Sequence, residues 1–113
     1  KVRRSMEFRG ARYIHVLVPC PLGWGHGSAE TIKMARLAME TALFPVFEAE
    51  HGEVKNVSKI RRQLPVEDYL RPQTRFAHLF KPPGHADLIA RIQALADRNV
   101  QRFGLADDAE DAQ

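Results

Sequence analysis

The residue best placed to do chemistry in this chain is Cys20, inside the stretch PCPLGWGHGS. It is the only cysteine, which excludes an internal disulfide framework. Pro19 and Pro21 flank it and restrict the backbone on both sides. Gly23, Gly25 and Gly27 follow, and glycines let the main chain approach a bulky group closely. A thiolate on a stiff segment beside a glycine-rich loop suits a ligand to a metal cluster, and it equally suits a nucleophile. Residue chemistry leaves three roles open. An inert buried thiol is the default, because free cysteine is among the most buried residue types. A nucleophile needs a base, here His15 or His26, and an oxyanion site that the sequence does not display. Among metal roles, zinc is disfavoured, because no second cysteine stands at a ligand spacing and the histidines form no paired pattern. An iron–sulfur cluster needs about four thiolates, so three would have to come from elsewhere.

The elements that must position Cys20 are readable on either side. Residues Tyr13-Ile14-His15-Val16-Leu17-Val18 form a β-branched and aromatic run of strand length, stopped by Pro19. The run is almost continuously apolar rather than alternating, which suggests a strand covered on both faces, as in a parallel sheet. His15 inside it reads as a buried, hydrogen-bonded histidine before it reads as a catalytic one. Cys20 then stands just beyond the strand's carboxyl end, where open α/β sheets bind their ligands. On the other side, Ser28 is a candidate N-cap with Glu30 in the first turn. A helix follows to about Leu43. Ile32, Ala35, Met39, Ala42 and Leu43 mark one apolar face, Met34, Leu37 and Ala38 widen it, and Lys33, Arg36 and Glu40 leave only a narrow polar stripe. A helix that apolar is expected to be well buried.

Further out, Val2, Met6 and Phe8 recur at helical spacing over residues 1–9, and Gly10 breaks the pattern. After Pro45, residues 46–50 read as a second strand, His51-Gly52 as a turn, and 54–60 as a returning partner strand. Residues 61–64 form a linker; Pro65 starts a short helix over 66–70, halted by Pro72. Residues 74–80 suit another short turn or helix, and Pro82-Pro83-Gly84 a break. The stripe Leu88, Ile92, Leu95, Ala96, Val100 and Phe103 predicts a helix over 86–103 with Gly104 as its stop. The acidic, small-residue tail from 105 to 113 is expected to be disordered. The order strand, loop, buried helix, strand is one βαβ-like step of an α/β sheet. One such step cannot cover both faces of its own sheet, so a fragment, or a subunit completed by a partner, is expected.

Composition narrows the function classes. At 113 residues there is room for one modest core. The apolar fraction of 44% and charged fraction of 27% are ordinary for globular proteins, so wholesale disorder is not expected. The opening KVRRSMEFRG lacks the apolar centre of a signal peptide, and no run approaches a membrane-spanning length. A soluble, cytoplasmic location without membrane contact is the expectation. Basic residues gather in 1–12 and 55–62, but the net charge is only +3 and no aromatic stacking pattern interleaves with them, so a nucleic-acid partner is not supported.

The stretch HVLVPCPLGWG, followed by TIKMARLAMETALFPVFEAEHG, resembles the carboxy-terminal part of beta subunits in the pyruvate:ferredoxin oxidoreductase (pyruvate synthase) family. Downstream, PVEDYLRPQTRFAHLF resembles that family's PVEEYLKLQGRFRHL-type segment. The resemblance runs from about Tyr13 to Phe80, and the last helix agrees in type and place. It implies an α/β fold, the carboxy-terminal fragment of a thiamine-diphosphate-binding fold, built as a strand–helix–strand step plus a helical tail. Residues 1–60 would end the α/β domain with the ligand loop at 19–27, residues 61–104 would form a helical extension, and 105–113 the tail. In that family the cysteine of the strand-end PCP loop supplies the fourth thiolate of the four-iron four-sulfur cluster nearest the thiamine, which makes Cys20 the implied metal and cofactor ligand. The other three cysteines lie upstream in the family's subunit, as does the Gly-Asp-Gly and Asn motif that holds magnesium and thiamine diphosphate. All are absent here, which implies a truncated or cleaved piece with no catalytic residue of its own and no activity alone.

The implied partners are the remaining beta-subunit sequence, other oxidoreductase subunits, ferredoxin or flavodoxin, and coenzyme A with a 2-oxoacid in the whole complex. Trp24 would shield the cluster or pack at a subunit contact, plain packing being the simpler role. Arg61 and Arg62 would face a neighbouring subunit or an acidic ferredoxin, or simply water. Pyruvate, aromatic and branched 2-oxoacids all stay open. So do a non-catalytic assembly module of the same α/β type and a cysteine-dependent hydrolase.

Overall fold

Breaker residues cut the chain into short elements, which a computed structural model describes over residues 1–107. Helix α1 spans Val2–Ser5 and α2 spans Pro21–Trp24, whose Pro21 sits at the first helical position, where no N–H is missed. A 3-10 turn at Ser28–Glu30 leads into α3, Thr31–Glu40. Strands β1 (Glu48–Glu50) and β2 (Glu53–Lys55) form an antiparallel hairpin, with Ala49 opposite Val54. Helix α4 covers Val66–Leu70, a second 3-10 stretch Thr74–Leu79, and α5 Ala86–Phe103. Gly104, left-handed at φ +59°, ends α5 where a side chain would be strained. Among the described residues, no helix is long and apolar enough to cross a membrane.

The core lies between α3, α4 and α5. Met34 and Ala38 from α3 and Val66 and Leu70 from α4 are buried together with Ala96 from α5. Leu88, Ile89, Ile92, Val100 and Phe103 flank them on the inner face of α5. Leu95, expected in that stripe, stands on its shoulder and is 45% exposed. Polar groups fasten the packing: the Asn99 side chain donates to the Ala42 backbone carbonyl at 2.8 Å, and the Gln93 side-chain Oε1 accepts the Val66 N–H at 3.0 Å. The hairpin is tied to α5 by the stacked rings of Phe47 and Phe103, 4.9 Å apart. Ion pairs hold α1 on β1. Lys1 reaches Glu48 at 3.1 Å and Arg4 reaches Glu50 at 2.7 Å. Hydrogen bonding from Asn56 and then Lys1 holds the Glu48 carboxyl below its ordinary value of 4.5.

Several sequence expectations need correction. Residues 13–18 are not a strand: they form no ladder, and all but Leu17 are exposed. A strand needs a neighbour to take its N–H and C=O groups, and the described residues bring none beside it. His15 is exposed rather than buried, its ring resting edge-on against Phe44 at 5.1 Å. The βαβ step therefore does not form among the described residues, although the mixture of helices with a small sheet holds. Helix α3 stops at Glu40 instead of Leu43, because Ala42 turns left-handed at φ +59° and Phe44 N–H closes back on the Ala38 carbonyl at 2.8 Å. It is also less buried than its composition suggests, with Ile32 72% exposed. Ser28 does not cap by its side chain; it opens the 3-10 turn and its carbonyl accepts the Thr31 hydroxyl at 2.9 Å.

The returning strand is shorter than 54–60, since Asn56 at φ +49° bends the chain out of the ladder. Ile60 instead pairs with the segment after α5, donating to Leu105 at 2.7 Å and accepting from Asp107 at 3.3 Å. The tail's first residues are thus ordered, with Leu105 only 1% exposed. Residues 108–113, the rest of the tail expected to be disordered, lie outside the described residues.

Candidate functional site

Cys20 is a free, exposed thiol at the junction where the run before it meets α2. Its backbone is extended (φ −106°, ψ 111°), and its carbonyl accepts the Trp24 N–H at 2.9 Å, which closes the single turn of α2. Gly23 lies against the sulfur: a Cβ built there would stand 3.7 Å from Sγ. A glycine at that place leaves this side of the thiol open to a large neighbour. The buried, inert thiol that residue statistics favour is not what the fold displays.

Gly25 locks the loop. It takes φ +72°, a conformation that glycine adopts freely, and donates to the Pro21 carbonyl at 2.9 Å. A side chain there would overlap the Thr74 hydroxyl and come within 2.8 Å of Thr74 Cβ. The Thr74 N–H donates back to the Gly25 carbonyl at 3.0 Å. Backbone therefore meets backbone, and the loop is pinned to the 3-10 stretch at 74–79.

Beside this lock sits a polar and aromatic stack. The Arg75 guanidinium lies 3.9 Å from the centre of the Trp24 ring and 4.6 Å from that of Phe76. It donates to the Gln73 side-chain Oε1 at 2.8 Å and to the Tyr69 hydroxyl at 3.1 Å. Gln73 is fully buried and its amide donates to the Tyr69 backbone carbonyl. Trp24 is thus half-buried against the core with an arginine over its face. Local pattern gave no warning of Tyr69, Gln73, Thr74 or Arg75. Their only sequence signal was membership of the segment PVEDYLRPQTRFAHLF that carries the family resemblance.

His26 is 8% exposed, with Nδ1 2.9 Å from the Gly27 carbonyl. That contact occupies Nδ1 and leaves Nε2 buried without a hydrogen-bond partner among the described residues. Neither His26 nor His15 is hydrogen-bonded to Cys20 among the described residues, so a nucleophile lacks its base here. Among the same residues no group of three or more His, Cys, Asp or Glu is placed to hold a metal ion. The donor set is a single exposed thiol, which fits one corner of an iron–sulfur cluster and cannot hold one alone. Arg61 and Arg62 are exposed and lie outside this loop's contacts. An open groove lined by Lys33, Leu37, Glu67, Asp68, Arg71 and Pro72 brings no further chemistry, since Arg71 pairs with Glu67 at 3.4 Å and Lys33 with Glu30 at 3.5 Å.

No protein-family model matches the chain. Individual curated proteins do. The chain is 47% identical over 105 residues to pyruvate synthase subunit PorB of Methanosarcina barkeri, covering 93% of this chain and 36% of that subunit. It is 38% identical over 105 residues to pyruvate synthase subunit PorB of Methanocaldococcus jannaschii, covering 93% and 34%. To ketoisovalerate oxidoreductase subunit VorB of Pyrococcus abyssi it is 37% identical over 83 residues, covering 72% and 27%. The chain spans about a third of the length of the curated relatives it matches.

Proposed function

Because this chain belongs to the family of pyruvate synthase PorB subunits, we propose that it works as one part of a thiamine-diphosphate-dependent 2-oxoacid:ferredoxin oxidoreductase. Within it, Cys20 supplies one thiolate to a four-iron four-sulfur cluster. The observation that carries this reading is the exposed thiol of Cys20, aimed by a loop that is locked through Gly25 onto Thr74. Residues 1–60 end the thiamine-diphosphate-type domain and 61–104 brace it from the helical side. Thiamine diphosphate, magnesium and the remaining cluster thiolates are held by sequence that this chain does not contain. The cluster, when bound, accepts and releases electrons one at a time. This chain's own residues orient one of its ligands: Gly23 leaves room against the sulfur, Gly25 and Thr74 fix the loop, and Trp24 packs at the loop's base against the core. Separated from the rest of the complex the chain has no oxidoreductase activity, and in the complex it works in the cytoplasm with the other subunits, coenzyme A and a ferredoxin or flavodoxin.

The test is Cys20→Ser in the whole subunit, expressed with its partner subunits. Loss of iron and of cluster absorbance around ~400 nm is expected, from the requirement for thiolate ligation. Iron content and electron transfer that match the wild type would favour a second reading, a non-catalytic assembly module. One observation speaks for that module: Tyr13, Ile14, Val16 and Val18 present a bare strand-like run suited to docking on another sheet.

A further inference from the structure

Cations beside α3 and α4 are paired with a carboxylate one turn away, Lys33 with Glu30 and Arg71 with Glu67. The outer face of α5 differs. Arg91, Arg98 and Arg102 are exposed and stand seven and then four residues apart, which places them along one side of the helix. None of the three stands in an ion pair among the described residues. The acidic side chains of α5 do not neutralise the row. Asp97 lies on the flank, where it accepts the Gln63 and Gln93 amides at 2.9 and 2.8 Å. Asp87, in the first turn, forms no ion pair with Arg91. Leu95 sits between Arg91 and Arg98 and is 45% exposed. With Asn99 and Gln101, it lines one open groove of about 440 Å³ together with Arg98 and Arg102.

The row selects its ligand by length and by its apolar centre. From Arg91 to Arg102 the helix rises about 16 Å, too far for one small anion and suited to a line of carboxylates. A nucleic-acid backbone would meet Asp87 and Asp97 as repulsion and would leave Leu95 without an apolar partner. A protein surface offers both charges and an apolar spot. Solvated arginines are also stable uncovered, unlike the apolar run at 13–18, so this face suits a partner that comes and goes. Small, charge-rich contacts of that kind are typical of electron-transfer encounters.

We propose that the outer face of α5 is the docking surface for an acidic electron-carrier protein. Its carboxylates meet Arg91, Arg98 and Arg102, and an apolar side chain meets Leu95. The inference rests on the proposed oxidoreductase function, which calls for a mobile protein that collects electrons and leaves.

The measurement is binding of a purified acidic ferredoxin to the assembled enzyme, by isothermal titration calorimetry over a range of ionic strength. Arg91→Glu with Arg98→Glu should weaken binding about tenfold at low salt, and the gap to wild type should close as salt rises. Arg91→Lys with Arg98→Lys should bind nearly as the wild type does, because the charges remain. All variants should keep the subunit composition and the rate of reducing a small viologen dye, which needs no docking surface. Absent binding in the wild type overturns the proposal. So does equal binding in the wild type and the Glu pair, or a loss that ignores salt. Should the Glu pair fail to assemble, Arg91→Gln with Arg98→Gln serves instead, with binding weakened roughly threefold. Unchanged binding in the Gln pair overturns the proposal, and a Gln pair that also fails to assemble does so too, since the face would then be an internal contact. The two readings fail separately. A wild-type complex that reduces no dye with any 2-oxoacid sinks the oxidoreductase reading, whereas full dye reduction with unaltered ferredoxin binding in the Glu pair sinks only the docking surface.

Discussion

Residues 13–18 and the helical half of the chain are both rich in apolar side chains, yet they end in opposite states. In α3, α4 and α5, Met34 and Ala96 are fully buried and Leu70 nearly so. In the run before Cys20, Tyr13 is 86% exposed, and Val16 and Val18 about two-thirds exposed (66% and 67%). The difference lies in the backbone. A helix satisfies its own N–H and C=O groups and needs neighbours only for its side chains. A strand needs another strand for both. Helices thus carry their half of a core with them, whereas a strand borrows its half. The thiol sits at the seam between the two, attached to the borrowing segment and locked to the self-sufficient one.

The comparison can be broken from either side. The largest effect is expected in the core: Leu70→Ala should cost about 2–5 kcal/mol, the range for deleting a buried leucine side chain, in urea unfolding of this chain. A loss near zero would mean that the helical half does not close a core. Next comes the seam. Gly25→Ala should cost about 1–3 kcal/mol from overpacking against Thr74, with left-handed strain added. Gly25→Ala with Thr74→Gly should recover part of that loss, and strictly additive losses would mean that the two residues do not interlock. On the borrowing side, Val16→Ser with Val18→Ser should change the stability of this chain by no more than about 0.5 kcal/mol, as for exposed sites. The same pair in the whole subunit should destabilise it measurably, and equal effects in the two settings would erase the contrast.

The smallest effect is electrostatic. The Glu48 carboxyl is held below its ordinary value, so its charged form is favoured in the folded chain. Its contribution is present above about pH 4.5, the unfolded reference, and fades as pH falls through the lowered folded value. Acidification should therefore free residues 1–5 from β1, seen as amide shifts there, while the amides of α5 hold still. Added salt should weaken the same contact. Coincident loss of both regions would show that α1 is part of the core after all.

The sequence was most legible where an element is locally complete. The stripe from Leu88 to Phe103 with Gly104 behind it gave α5 to the residue, and Pro65 with Pro72 bracketed α4. It was least legible where a segment's state depends on something distant. The β-branched run at 13–18 has every local mark of a strand, but pairing is not a local property. Ala42 in a left-handed conformation, which shortened α3, has no marker of the kind that Gly104 supplies for α5. At the site, Cys20 and its prolines stood out by type. Its supports did not, because Gly25 and Thr74 meet only after the chain has folded back, and Gln73 and Arg75 look like ordinary surface residues in sequence.

That meeting of Gly25 and Thr74 has a bearing on how the molecule is built. The two positions are far apart along the chain and fit so closely that neither can be placed before the other. In the folded chain, residues 19–27 and 74–79 hold each other's shape, so the direction of the sulfur depends on both segments. Damage that unravels the second segment would therefore leave the thiol chemically intact but unaimed.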